Sequence, residues 1–145
     1  MAKQITAADA RSRIEPGWNR LTELLSGIPD DRVGEAGVNG DWSVKLMVGH
    51  IAYWERNAAT VIRLMADGQP LPPIDFNAIN QQVTEADQQR SYDELRKEFD
   101  AAHEALLATI DEIGAVDGRR LSWDTWGHYP EHIKQLEKWR KKSGV

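Results

Sequence analysis

Hydrophobic residues recur every three to four positions over most of the chain, which is the spacing of one face of an α-helix. The pattern predicts helices over about residues 7–27, from Ser43 for about 24 residues, over about 91–113, and a last helix that ends around Lys141. The apolar face is clearest in the second helix, with Val44, Met47, Val48, Ile51, Trp54, Ala58, Val61, Ile62 and Met65. None of the segments between the helices has the pattern of a strand. The chain is therefore predicted to be all-α.

The connection between the second and third helices, GQPLPPIDFNAINQQVTEADQQR, is far longer than a helical hairpin requires. A link of this length allows the third helix to start at the same end as the second. We therefore expect one domain over residues 1–145, a four-helix bundle with up-down-down-up topology. The stretch 76–88 within this crossover is predicted to form a short polar helix.

Composition narrows the possible partners. The chain has 145 residues, 23 acidic against 18 basic, and a net charge of −5. No basic stripe interleaved with aromatic residues is present, which argues against nucleic-acid binding. No apolar run is long enough to span a membrane, so we expect a cytoplasmic protein. The chain lacks cysteine, and any bound metal must use nitrogen or oxygen ligands.

Two of the four histidines, His128 and His132, lie four residues apart near the C-terminus. Side chains at this spacing share one face of a helix and can reach one cation. Pro130 between them favours a helix start, so His128 is expected at the first turn. His50, at the rim of the second helix's apolar face, is a better third ligand than His103, which is expected on the outer edge of the third helix. The alternative is that each histidine is a surface residue or a hydrogen-bonded core residue.

The segments GVNGDWSVKLMVGHIAYWER and WGHYPEHIKQLEKWR together resemble the DinB/YfiT-like family of four-helix proteins, and the resemblance covers nearly the whole chain. The matching residues are Trp42 and Ser43 at the entry to the second helix, His50, the pair Trp54 and Glu55, and the terminal His128 and His132. Family members hold a divalent metal in an up-down-down-up bundle with one histidine from the second helix and two from the fourth. The resemblance thus implies a metal site of His50, His128 and His132.

Three imidazole ligands leave one coordination position open, as in catalytic metal sites. Zinc or nickel is the metal most expected, although imidazole ligands alone do not choose among transition metals. The family includes transferases and isomerases that use mycothiol, bacillithiol or glutathione, with the metal activating the thiol sulfur. The resemblance therefore implies an enzyme that acts on a small electrophile by thiol transfer or hydrolysis. It does not indicate catalytic residues beyond the metal ligands.

Two other functions remain open. Some relatives, in a branch associated with self-protection against a genotoxic metabolite, need no metal, and a metal-free bundle that binds or sequesters a small molecule is the main alternative. A stress-induced bundle with vestigial histidines, whose main property is association, is the third. Metal content would separate the first function from the other two.

Residues near the histidines are candidates for a substrate pocket. Trp54 and Asn57 lie one and two turns after His50, and Trp126 and Tyr129 lie at the entry to the last helix. Core or rim packing is nevertheless the more expected role of the tryptophans, and a solvent-facing or capping role that of Asn57. Glu55 and Glu131 could orient ligand imidazoles, although exposed glutamates are the commoner case. Six tryptophans in a small bundle also lead us to expect a homodimer.

Overall fold

A computed structural model describes residues 3–145, and within them the prediction of an all-α bundle is confirmed. Four long helices carry the fold, and two short helices and a two-stranded sheet lie between or beside them. In chain order the elements are β1 Gln4–Thr6, α1 Ala7–Leu25, α2 Val44–Ala66, α3 Phe76–Gln88, α4 Tyr92–Ile113, β2 Ala115–Asp117, α5 Gly118–Ser122 and α6 Tyr129–Ser143. The short helix expected within the crossover is α3.

Side-chain caps fix where the helices begin. The hydroxyl of Ser43 accepts a hydrogen bond from the backbone N–H of Leu46 (3.2 Å), and that of Ser91 accepts one from Glu94 N–H (3.1 Å). Each hydroxyl satisfies a donor that has no partner inside its helix. Gly114 ends α4 with φ of 84°, a conformation that favours glycine.

Helices α2 and α4 run parallel, as the long crossover predicts. At one end, Lys45 Nζ donates a hydrogen bond to the carbonyl oxygen of Arg90 (3.0 Å). At the other end, Arg63 Nη2 lies 2.8 Å from Glu112 Oε2. Residue numbers therefore increase together along the two helices, which requires that they point in the same direction.

Helix α1 runs antiparallel to α4 and parallel to α6. This arrangement completes the up-down-down-up order. The contacts that establish it are Arg11 with Asp111 and Trp18 with Phe99 between α1 and α4, and Arg20 with Glu137 and Leu24 with Arg140 between α1 and α6.

The expectation that no segment between the helices forms a strand is wrong. β1 pairs antiparallel with β2, with Ile5 opposite Val116. Both of these side chains are buried, and the sheet covers one end of the bundle core. Strands of three residues are too short for a period of two to appear in the sequence, and their pairing depends on a contact distant in the chain.

The core lies between α1, α2, α4 and α6, and most of the aromatic side chains are at least partly buried in it. Trp123 is the one tryptophan that the described residues leave well exposed, at 55%. Helix α3 lies against α2, and Asp87 is its one buried residue. No helix within residues 3–145 is both long and apolar enough to cross a membrane.

Candidate metal centre

The imidazoles of His50, His128 and His132 meet where α2 passes the start of α6. His128 Nε2 lies 3.1 Å from His50 Nε2 and 2.8 Å from His132 Nε2. One nitrogen from each ring lies within 4.8 Å of the other two. Three nitrogen donors that converge in this way could hold one metal ion.

Local structure explains how two of the histidines come together. His128 is the N-cap of α6, and Pro130 occupies the first turn, where the missing backbone N–H would have had no partner. His132 is one turn further along, so both rings project from the same side of the helix. The proline therefore does not separate the pair.

A hydrogen bond at its second ring nitrogen orients the imidazole of His132. His132 Nδ1–H donates to Gln135 Oε1 at 2.9 Å, which leaves the lone pair of Nε2 facing the other two rings. The Asn80 side chain is within hydrogen-bonding reach of the His50 ring, and this interaction acts to raise the pKa of His50 against the larger effect of burial. Within residues 3–145, the buried Nδ1 of His128 has no hydrogen-bond partner.

All three histidines favour the neutral form. Burial, followed by repulsion from the other two imidazoles, lowers the pKa of His50 to about 2. Burial and the neighbouring His132 lower the pKa of His128 to about 3. Burial also lowers the pKa of His132, against the opposing effects of Gln135 and Glu131. Imidazole binds metals in its neutral form, so the cluster is in the protonation state that a cation requires.

A groove of about 360 Å³ lies near the cluster, between the entry to α2 and residues of α3. The Trp42 ring joins the groove to the histidines, because its centroid lies 4.7 Å from that of His50. Asn80 joins them on the opposite wall. The lining residues are Asp41, Trp42, Leu46, Asn80, Gln81, Thr84, Glu85 and Gln88. A small molecule in this groove would contact Trp42 and Asn80, the two lining residues that neighbour His50.

The four residues predicted to line a pocket occupy different positions. Trp54 is buried, and its Nε1–H donates to Asn80 Oδ1 at 2.8 Å. Tyr129 is fully buried, and Asn57 and Trp126 are partly buried. Their role as pocket residues stays a prediction. The lining of the groove by α3 could not be predicted, because the side of a polar helix that faces a neighbour is not marked by apolar residues.

Glu55 and His103 are buried, contrary to the expectation that Glu55 is exposed and that His103 lies on an outer edge. Glu55 Oε1 accepts a hydrogen bond from His103 Nδ1–H at 2.7 Å, and Glu55 Oε2 accepts one from the Tyr129 hydroxyl. Burial and the Glu55 charge raise the pKa of Tyr129 well above its usual value, so the phenol stays neutral and donates. The His103 ring stacks on Trp18, with 3.6 Å between ring centroids.

Fold and site together define a helical bundle with a candidate three-histidine metal centre near a groove of about 360 Å³. The sequence profile of the DinB superfamily matches residues 13–139, and the chain belongs to this superfamily. An uncharacterised protein from Escherichia coli UTI89, solved by crystallography, has a similar fold, with a TM-score of 0.81 over 97% of this chain and 95% of that chain. The two share 19% sequence identity, so the similarity concerns the fold alone. No curated protein matches the sequence.

Proposed function

We propose that this protein is a divalent-metal-dependent enzyme that transfers a thiol to a small electrophile or hydrolyses it. The observation that carries the proposal is the convergence of His50, His128 and His132 near a groove lined by Trp42, a neighbour of His50. Without a metal, this arrangement of neutral imidazoles is unfavourable. His50 Nε2 and His132 Nε2 both face His128 Nε2, which can carry at most one N–H for the two of them. A cation at their centre would satisfy all three nitrogens.

The three imidazoles would act as the protein ligands of zinc or nickel and leave one position open. A metal bound there would supply a Lewis acid that lowers the pKa of a thiol or water. The chain's own part is to hold the imidazoles: Gln135 orients the His132 ring, and the N-cap position of α6 places His128 one turn before His132. Catalytic residues beyond these ligands are not assigned.

The groove beside Trp42 and Asn80 is the proposed binding site for the small substrate and, in thiol transfer, for the low-molecular-weight thiol. Trp42 and Leu46 offer an apolar surface, while α3 offers amide and hydroxyl groups from residues such as Asn80 and Thr84. Sites with a few polar groups on an apolar surface are typical of small-molecule recognition. The groove volume of about 360 Å³ is within the range of small-molecule sites in proteins.

Elemental analysis of protein purified without a histidine tag is the primary test. We expect near-stoichiometric transition metal in the parent protein and its loss in His50→Ala and His132→Ala. His103→Gln removes a buried histidine that bonds Glu55, and we expect metal content at saturating metal to stay near that of the parent. A parent that stays metal-free after incubation with zinc or nickel at neutral pH would contradict the proposal. The metal-free sequestering bundle would then be the better account.

Association as a homodimer also stays a proposal. It is supported by three large apolar side chains that are exposed on the described surface: Leu71, Phe76 and Trp123. Light scattering at micromolar concentration tests it. A mass near the 16.4 kDa of one chain would contradict it.

A further inference from the structure

The metal centre is built from two helices that touch each other little. His50 lies on α2, whereas His128 and His132 lie at the start of α6. Within residues 3–145, α6 packs chiefly against α1 and has far fewer contacts with α2. The position of α6 on α1 therefore does not by itself fix how far its two imidazoles lie from His50. A direct link between α2 and α6 is needed near the site.

Glu55 and Tyr129 form such a link. Tyr129 follows His128 directly and is the first residue of α6, and its hydroxyl donates a hydrogen bond to Glu55 on α2. Both side chains are almost fully buried, at 0% and 1% exposure. Water therefore cannot replace the hydrogen bond, and its loss would leave a buried acceptor only partly satisfied.

The other groups around this link limit the movement of its two members. His103 on α4 donates to the second oxygen of Glu55, so the carboxylate has one fixed orientation. The Tyr129 ring lies against Gly17 on α1, where an added Cβ would come within 2.6 Å of Tyr129 Cδ2. The absence of a side chain at position 17 thus lets the ring reach Glu55.

We infer that Glu55 is a positioning residue for the metal centre, acting through Tyr129 to set the distance between His50 on α2 and the two histidines of α6. His103 contributes by orienting Glu55 and not as a ligand. The inference rests on the proposed metal-dependent function. It assigns a role to the buried His103–Glu55–Tyr129 chain, which the three-histidine site alone does not explain.

The test compares zinc affinity, measured by competition with a chelating dye, in variants that remove each side of the link. Tyr129→Phe removes the hydroxyl and keeps the ring, and Glu55→Met removes both acceptors at similar length. We expect each to weaken zinc binding about tenfold to a hundredfold, the range found for groups that orient metal ligands. The double variant should bind no more weakly than the weaker-binding single variant, because both changes break the same hydrogen bond from Tyr129 to Glu55. Glu55→Gln keeps one acceptor oxygen and should restore most of the affinity.

The visible absorption of protein-bound Co²⁺ supplies a second readout. It depends on the geometry of the metal ligands, and a general loss of folding stability does not change it. Tyr129→Phe loaded with Co²⁺ should show shifted visible bands, which report altered ligand geometry. Ile110→Val is the matched control, because it loses stability in the buried face of α4 and should keep the parent's zinc affinity and cobalt spectrum. If Glu55→Met does not fold, Tyr129→Phe decides alone.

The possible results separate this inference from the proposed function. A parent that binds zinc and a Tyr129→Phe variant that binds it equally well, with the same cobalt spectrum, would overturn the positioning role and leave the metal centre intact. Additive losses in the double variant would also overturn it. A parent that binds no zinc would overturn the proposed function, and the positioning role with it.

Discussion

The Nε2 atoms of His128 and His132 lie 2.8 Å apart across the first turn of α6. Two imidazole nitrogens bound to one tetrahedral ion at 2.0–2.1 Å are separated by roughly 3.3 Å. The two rings therefore need to move apart by only a fraction of an ångström to admit a cation. The affinity should then depend on the groups that hold the rings in place, and these groups can be tested one at a time.

Gln135→Leu is expected to weaken zinc binding about tenfold. The substitution removes the oxygen that accepts the hydrogen bond from His132 Nδ1–H, so that ring can rotate or change its tautomer. Dye competition at pH 7 measures the affinity. Gln82→Leu makes the same chemical change at an exposed position of α3 and should leave affinity unaltered. Equal affinities in the two variants would show that the hydrogen bond from His132 does not contribute.

The metal-free protein should lose stability as the pH falls from 7 to 5. The pKa values of His50 and His128, about 2 and about 3, are lowered below the unfolded value of about 6.5. Between these limits the unfolded chain binds protons that the folded chain does not, so acidification favours unfolding. The stability is present above about pH 6.5 and is lost as the pH falls towards the folded pKa values.

Urea unfolding at the two pH values measures this effect. Each of the two histidines can contribute at most about 2 kcal/mol to the loss at pH 5. His50→Gln removes one titrating group, so the difference between the two pH values should be smaller in this variant than in the parent. An unchanged difference would mean that His50 titrates normally in the folded protein.

Parts of the fold that depend on local pattern were predictable from the sequence, whereas contacts between distant segments were not. The helix spans follow from apolar spacing and from caps such as Ser43 and Ser91, and the parallel order of α2 and α4 follows from the crossover length. His128 and His132 share a turn, so their proximity is a local property. The position of His50 at the rim of an apolar face favours it over His103 as the third ligand, and the family resemblance strengthens this choice.

The buried chain of Glu55, His103 and Tyr129 shows why the rest could not be predicted. Each polar member lies at the margin of an apolar stripe, and in the sequence such a residue cannot be distinguished from a solvent-facing one. Glu55 lies 48 positions from His103 and 74 positions from Tyr129 in the chain. Only the packing of three helices reveals that these polar groups satisfy one another.

Gly49→Ala is expected to destabilise the protein by about 1–2 kcal/mol. Alanine normally stabilises a helix interior relative to glycine. Here the added Cβ would lie 2.1 Å from Asp87 Oδ2 and 2.9 Å from Asp87 Cγ, so the end of α3 must shift away from α2. Thermal unfolding measures the change.

Asp87→Ala removes the carboxylate that Gly49→Ala would meet, and it is therefore the matched background. In this background the added methyl group should be neutral or stabilising, since only the gain in helix propensity remains. A similar loss of stability in both backgrounds would locate the clash elsewhere. This result would contradict the close approach of α3 to α2 at position 49.

A small thiol should stabilise the zinc-loaded protein more than the metal-free protein. A ligand at ten times its dissociation constant contributes about 1.4 kcal/mol, which raises the unfolding temperature of a chain of this size by several degrees. Glutathione is a suitable probe, and S-methylglutathione, whose sulfur cannot become a thiolate, should give a much smaller shift. His50→Ala should remove the difference between the two compounds.

Thr84→Arg tests whether the thiol binds in the groove. It places a long side chain there and should abolish the glutathione shift while zinc binding persists. Thr60→Arg makes the same change at an exposed position of α2 and should retain the shift. If glutathione stabilises the Thr84→Arg variant as much as the parent, the thiol binds outside the groove, and if it stabilises the metal-free parent equally, its sulfur does not bind the metal.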